Sequence, residues 1–284
     1  MRVRRFPATL TLVLALIGLL GLPASEGAAP VPVVVELFTS EGCSSCPPAE
    51  SLLGVLEMSQ PVEGVEIVAL SLHVDYWDGL GWKDPFSSPE FTRRQEGYAS
   101  RFDNRSLYTP QMVIDGREEL VDANRRTAIE AIRRQARQPK ASVSLELEPQ
   151  DAGRPSVGAR VRIDDLPATD GPLEVVLAVT EGELASNITA GENVGRNLRH
   201  TAVVRELRVI GELDSATGDG ASFESDLLLD PDWKRDNLRV IVFVQERVGR
   251  RIVGSAVSDV RRMHGDRRAR TPGGAARGPS SRPR

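Results

Sequence analysis

Glu41-Gly42-Cys43-Ser44-Ser45-Cys46-Pro47-Pro48 holds the only two cysteines of the 284-residue chain. An apolar, β-branched run, Val33-Val34-Val35-Glu36-Leu37-Phe38-Thr39, comes directly before it, and an amphipathic stretch, Ala49 to Met58, directly after. That order reads as strand, tight turn, CxxC and helix. A helix N-terminus offers unpaired N–H groups and the positive end of the helix dipole, both of which stabilise a thiolate. Cys43, just off that end, is expected to be exposed and activated. Cys46, in the first turn, is expected to be more buried and placed to resolve a mixed disulfide.

Other readings of the pair carry less. A purely structural disulfide closes so short a loop that chain entropy gives it only about 2 kcal/mol. A tetrahedral zinc site wants four ligands, and the chain adds no further cysteine and only His73, His200 and His264. A copper(I) site built on the two thiolates, helped by His73, stays open. Two unrelated buried thiols fit poorly with Gly, Ser and Pro neighbours, which mark a turn.

Outward from the motif, the two ends differ from the body. Arg2, Arg4 and Arg5 precede an apolar run from Ala8 to Leu22, followed by small residues around Ser25-Glu26-Gly27-Ala28. This is the pattern of a signal peptide over residues 1–27, and the run is short of the ~20 residues a membrane span needs. The expected location is secreted and periplasmic, with no stable membrane span after cleavage. Residues 261–284 contain eight arginines and one acid among Pro, Gly and Ser, the composition of a disordered basic tail. The whole chain carries −4, the tail +7 and the first 27 residues +2, which leaves −13 on residues 28–260. An acidic body of that kind argues against nucleic acid as a partner.

The body changes character near Gln138-Pro139-Lys140, which predicts two domains, 30–139 and 141–260. In the first, Val65–Leu72 reads as a buried strand. Ser87-Ser88-Pro89-Glu90 opens a helix to about Phe102, and Pro110–Ile114 is a strand ending at an Asp115-Gly116 turn. Ala123–Gln138 is a second long helix. In the second, seven strands are expected: 142–148, 157–163, 173–180, 201–210, 222–229, 239–245 and 252–257. Their spacing suggests an antiparallel, immunoglobulin-like sandwich. The long connection from Glu181 to His200, centred on Gly191-Glu192-Asn193-Val194-Gly195, is of a length often tied to function.

Several of these residues together resemble the thioredoxin superfamily. VVVELFTSEGCSSCPP is similar to that family's first strand and CxxC, and Tyr108-Thr109-Pro110 before a strand and Asp115-Gly116 is similar to its threonine and cis-proline. The combination with LSLHVDYWDGLGWKDPF resembles a secreted bacterial thioredoxin-like family of unassigned function. The resemblance implies an α/β thioredoxin-like domain followed by an all-β immunoglobulin-like sandwich. It implies Cys43 as attacking thiol, Cys46 as resolving thiol and a disulfide between them. Thr109 and Pro110 would meet an extended substrate, and Glu36 would relay protons. Gly42 and the Ser44-Ser45 dipeptide depart from the superfamily's usual residues, so the direction of electron flow stays open.

Eight of the 13 aromatic residues fall between Tyr76 and Tyr108. Trp77 and Trp82 are candidates for a substrate groove beside the thiols, while Phe91, Tyr98 and Phe102 share one helix face and read as core. The expected activity is thiol–disulfide exchange on protein or peptide substrates, with a redox partner protein and no cofactor or metal. The alternatives are a copper(I)-handling module and a non-catalytic envelope interaction protein with a vestigial CxxC.

Overall fold

The computed structural model describes residues 29–121, 124–151, 155–214 and 220–261. The expected signal peptide and all but the first residue of the expected tail lie outside the described residues. Val31–Thr39 (β1) and Val65–His73 (β2) pair in parallel, in register from Val31↔Val65 to Thr39↔His73. Both are apolar on two faces, as a strand covered on both sides must be. Between them, Pro47–Ser59 forms α1, which starts on two prolines whose missing N–H groups have no helical partner to lose. Pro89–Phe102 forms α2, with the Ser88 hydroxyl accepting from the Glu90 N–H at 3.2 Å. Gln111–Ile114 (β3) lies antiparallel to β1, and Glu118–Leu120 (β4) folds back on β3. Arg125–Ala136 forms α3, capped reciprocally by Asn124 and Thr127.

After α3 the regular elements of the described chain are strands, apart from one 3-10 turn at Arg235–Asn237. Ser142–Asp151 (β5), Pro155–Asp164 (β6) and Ala221–Leu228 (β11) make a three-stranded sheet in the order β11-β6-β5. Leu184–Asn187 (β8) and Asn197–His200 (β9) make a separate hairpin. Leu173–Glu181 (β7), Val203–Leu213 (β10), Leu238–Glu246 (β12) and Ile252–Asp259 (β13) extend the first sheet. The resulting order is β13-β12-β7-β10-β2-β1-β3-β4, eight strands in one mixed sheet.

This corrects the expected fold class. The protein is not a thioredoxin-like α/β domain followed by a separate immunoglobulin-like sandwich; it is a mainly β protein built on one large mixed sheet, with three α-helices among the described residues. The join is a parallel contact between β10 and β2 at Val203↔Ser71, where the Ser71 N–H donates to the Ala202 carbonyl at 2.8 Å. The physical reason is edge coverage. β2 carries an almost unbroken apolar sequence, and the start of β10 pairs with its free edge at Ser71, which continues the sheet past β2.

Packing follows from this arrangement. Leu173, Val175, Leu177 and Val179 of β7 face the three-stranded sheet, meeting Val157, Val161 and Ile163 of β6. The opposite face of the extended sheet, with Val176, Ala178, Ile241 and Phe243, shares a core with Val34, Phe38, Val68 and Leu70 under α2. Phe91 and Tyr98 belong to that core, and Phe102 stacks on Tyr98. α1 and α3 cover the other side of β1 and β2, through Leu53, Leu56, Ala128 and Ile132 on Val33, Val35, Leu37 and Ile67.

A buried polar network ties α2 to both parts of the large sheet. The Arg94 guanidinium donates to Glu36 Oε1 at 2.5 Å and to Gln245 Oε1 at 3.0 Å. The Tyr98 hydroxyl donates to the second Glu36 oxygen and accepts from Gln245 Nε2 at 3.0 Å. Glu36 is on β1, Arg94 and Tyr98 on α2, and Gln245 on β12. Removing one member of such a buried pair leaves an uncompensated charge, whereas replacing both with apolar groups is often nearly neutral. Arg94→Leu is therefore expected to lower stability by roughly 3–5 kcal/mol, with partial recovery in the Glu36→Leu/Arg94→Leu double variant. Urea unfolding of the three proteins measures this, and an additive second loss in the double variant would contradict it.

Candidate functional site

The turn after β1 brings the two cysteines together. Cys43 and Cys46 form a disulfide with Cα atoms 5.4 Å apart, and Cys46 is the N-cap of α1. Both cysteines are 0% exposed, while Ser44 and Ser45 between them are exposed. The expectation that Cys43 is exposed is thus corrected: the dipeptide reaches solvent and the sulfurs do not. Pro47 and Pro48 also remove two of the N–H groups that a helix N-terminus ordinarily offers. The polar neighbour of the Cys43 sulfur is instead the Ser45 hydroxyl, 3.3 Å away.

The cover comes from the long connection between β8 and β9. The Asn193 side-chain amide donates to the carbonyls of Glu41 and Cys43, at 2.8 and 3.0 Å. Next to it, the Glu192 carboxylate accepts from the Ser44 N–H at 3.1 Å, and its bonds to Ser44 hold the Glu192 carboxyl below the usual range. Asn193 is fully buried although it lies at the tip of a loop.

The aromatic residues singled out from the sequence sit against the same turn. Trp77 Nε1 donates to the Thr109 hydroxyl at 2.9 Å, and Thr109-Pro110 is a cis peptide. A Cβ at Gly42 would lie 3.1 Å from Trp77 Cβ, so glycine is what lets the indole pack beside the turn. Trp82 Nε1 donates to Glu41 Oε2 at 2.7 Å. The structure thus gathers Trp77, Trp82 and Thr109 around the CxxC turn. It places Glu36 elsewhere, on the β1 face turned toward α2 and locked to Arg94 and Tyr98, whereas α1 packs on the opposite face.

Behind the turn lies a buried set of acids and imidazoles that sequence reasoning did not assemble. His200, the last residue of β9, stands between two carboxylates that flank the cysteines. Its Nδ1 is 2.8 Å from Glu50 Oε2 and its Nε2 is 2.9 Å from Glu41 Oε1. His73, the last residue of β2, has Nδ1 2.7 Å from Asp84 Oδ2. The same Asp84 oxygen accepts from the Glu41 N–H at 2.8 Å, and the Thr39 hydroxyl donates to Glu50 Oε1 at 2.6 Å. Burial pulls the His200 imidazole down, but Glu41 and Glu50 outweigh it and push its pKa up to about 9. Burial raises the Glu50 carboxyl, and the His200 hydrogen bond together with the nearby His73 holds it below its ordinary value. Asp84 is held low in the same way, by the charge and hydrogen bond of His73 against burial. The only hints of this set in the sequence were His73 at a strand end and the length of the connection to His200.

Glu50 and His200 also line a groove of about 800 Å³ between α1 and the β8–β9 hairpin, whose walls include Val55, Met58, Leu184 and Leu198. Among the described residues no helix is long and apolar enough to cross a membrane.

Two solved structures share this architecture. Protein AGR_C_4864 from Agrobacterium tumefaciens is 29% identical, with 80% of this chain and 94% of that chain covered and a TM-score of 0.57. HBP35 of Porphyromonas gingivalis is 16% identical, with 91% of this chain and 82% of that chain covered at a TM-score of 0.58, a likeness of fold alone. No curated protein matches the chain. A family model described as "Protein of unknown function (DUF1223)" matches residues 34–245, spanning the disulfide turn, the covering loop and the buried histidines, and the chain belongs to that family.

Proposed function

We propose that Cys43 and Cys46 form a thiol–disulfide exchange centre acting on protein or peptide substrates, with the Glu192–Asn193 loop controlling access to it. The observation that carries this reading is that the chain's two cysteines are paired across an exposed Ser44-Ser45 dipeptide at the head of α1. In the oxidising direction a substrate thiolate attacks Cys43 Sγ and the Cys43–Cys46 bond breaks. Cys46 leaves as a thiolate and takes a proton. The second substrate thiol, deprotonated, attacks the substrate sulfur of the mixed disulfide and expels Cys43, so two electrons pass from substrate to protein. Reduction runs the same steps backward. The Ser45 hydroxyl stands where it can donate to a thiolate on Cys43. Trp77, Trp82 and Thr109 supply the adjoining surface for a substrate chain. A redox partner protein and an extracytoplasmic, periplasmic setting, in which such a disulfide persists, belong to the same reading.

One observation favours a second reading. Both sulfurs are fully buried, which suits a structural clip that holds the turn onto α1. An exchange centre and a clip diverge once one sulfur is removed. Cys46→Ser is expected to accumulate disulfide-linked adducts through Cys43, visible on non-reducing gels and assigned by mass spectrometry, and Cys43→Ser to give none. A clip predicts no adducts and a stability loss of about 2 kcal/mol.

Loosening the cover tests the gate. Asn193→Ala removes two hydrogen bonds worth about 1 kcal/mol each. The rate at which a soluble phosphine reduces the disulfide should therefore rise roughly 10–30-fold, since each 1.4 kcal/mol is a factor of ten. A rate equal to that of the unaltered protein would remove the loop from the mechanism.

A further inference from the structure

We propose that Glu50, His73 and His200 bind one divalent transition-metal ion in the buried space behind the Cys43–Cys46 turn. Each of the three places one ligand atom within 4.8 Å of the other two. Two imidazoles and a carboxylate suit zinc and related first-row ions. The ion is held whether or not the cysteines exchange with a substrate.

The side chain that points to a ligand is His73. It is 0% exposed, and its Nε2 has no hydrogen-bond partner, while its Nδ1 is fixed by Asp84 at 2.7 Å. Buried ring nitrogens are ordinarily satisfied, so an unpartnered one needs a reason. An ion on Nε2 supplies it. The other two ligands are oriented in the same manner. His200 keeps Nε2 on Glu41 at 2.9 Å while its Nδ1 faces Glu50 Oε2 at 2.8 Å, a hydrogen bond that the ion would replace. Glu50 is steadied by the Thr39 hydroxyl on its other oxygen, and Glu41 by the Trp82 indole. A carboxylate on the far nitrogen of each ligating histidine fixes the ring and strengthens it as a donor. Here both histidines have one.

Charge and approach agree. Glu41, Glu50 and Asp84 place three buried acids around two imidazoles, a surrounding that favours a cation. Phe86 packs edge-on against both rings, at 5.5 Å from each, and forms an apolar wall. Glu50 and His200 line the groove between α1 and the β8–β9 hairpin, which gives an ion its way in from solvent.

The test uses the full chain, freed of metal with a chelator and then dialysed against zinc chloride. One zinc per chain is expected by elemental analysis, and X-ray absorption is expected to show nitrogen and oxygen neighbours without sulfur. His73→Asn keeps a donor near the Nδ1 position for Asp84 but lacks Nε2, and should weaken zinc at least about 100-fold. Asp84→Asn should weaken it about 10–100-fold by disorienting His73. The Cys43→Ser/Cys46→Ser variant should bind as the unaltered chain does. The proposal is overturned if the folded unaltered chain retains no zinc, if sulfur appears among the neighbours, or if folded His73→Asn binds undiminished. The absorption measurement needs no variant, so a substitution that fails to fold leaves the outcome decided.

Discussion

His200 is held between Glu41 and Glu50, and the arrangement of the site depends on that one imidazole. Glu41 comes two residues before Cys43 and Glu50 four residues after Cys46, so the ring clamps the approach to the disulfide onto the helix behind it. All three groups are buried. Without the imidazole the two carboxylates would carry an uncompensated desolvation penalty, the most costly kind of buried polar defect. The ring comes from a residue 150 positions away from Glu50. Holding it there obliges the second half of the chain to return to the first.

That return is what builds the large sheet. Three residues beyond His200, Val203 pairs with Ser71 of β2, and from there β10 runs on paired with β7. β7 and β12 then add outward, and their inner face shares a core with β1 and β2 under α2. Full burial of a residue such as Ile241 or Phe243 stabilises by roughly 1.5–3 kcal/mol. The shared core is therefore a substantial reason for the halves to stay joined. The Glu36–Arg94–Gln245 network lies within it, so the polar and apolar contributions across the join reinforce each other.

Most of the elements were legible from local pattern, and the fold class was not. β1, β2, α1, α2, α3 and seven of the nine strands from β5 to β13 fall close to where periodicity, capping residues and turn residues put them, while the short β8–β9 hairpin lies within the expected Glu181–His200 connection. Periodicity, though, reports how a strand is covered and says nothing of which strand lies beside it. Coverage itself does separate the strands of the second half. β5 and β11 alternate polar with apolar, as half-exposed strands do, whereas the middle of β7 (Val175–Val179) and of β12 (Val240–Val244) is continuously apolar. That is the mark of strands covered on both faces, and it argues for a layered sheet over a simple sandwich. The site was legible in the same uneven way. Cys43, Cys46, Trp77, Trp82 and Thr109 sit close together along the chain or follow a recognisable motif. Glu41, Glu50, Asp84, Asn193 and His200 come from separate segments that only the sheet's closure brings together, and no local spacing encodes that.

The charge around the turn constrains what the cysteines can do. The disulfide is neutral, and its reduction would free two thiols that must ionise to react, close to Glu41 and Glu50 along the chain. A like charge in a low-dielectric surrounding disfavours ionisation and keeps a thiol in its protonated, unreactive form. Positive charge on His200 works against this, since its pKa is raised to about 9 and it carries a proton at neutral pH. A divalent cation bound by Glu50, His73 and His200 would supply more positive charge, and without depending on pH. The acids therefore have two roles that cannot be separated. They hold the positive charge behind the disulfide, and they make thiolate formation unfavourable whenever that charge is absent. On the two proposals made above, chemistry at the cysteines would be tied to the occupancy of the pocket behind them, in addition to the loop that covers them.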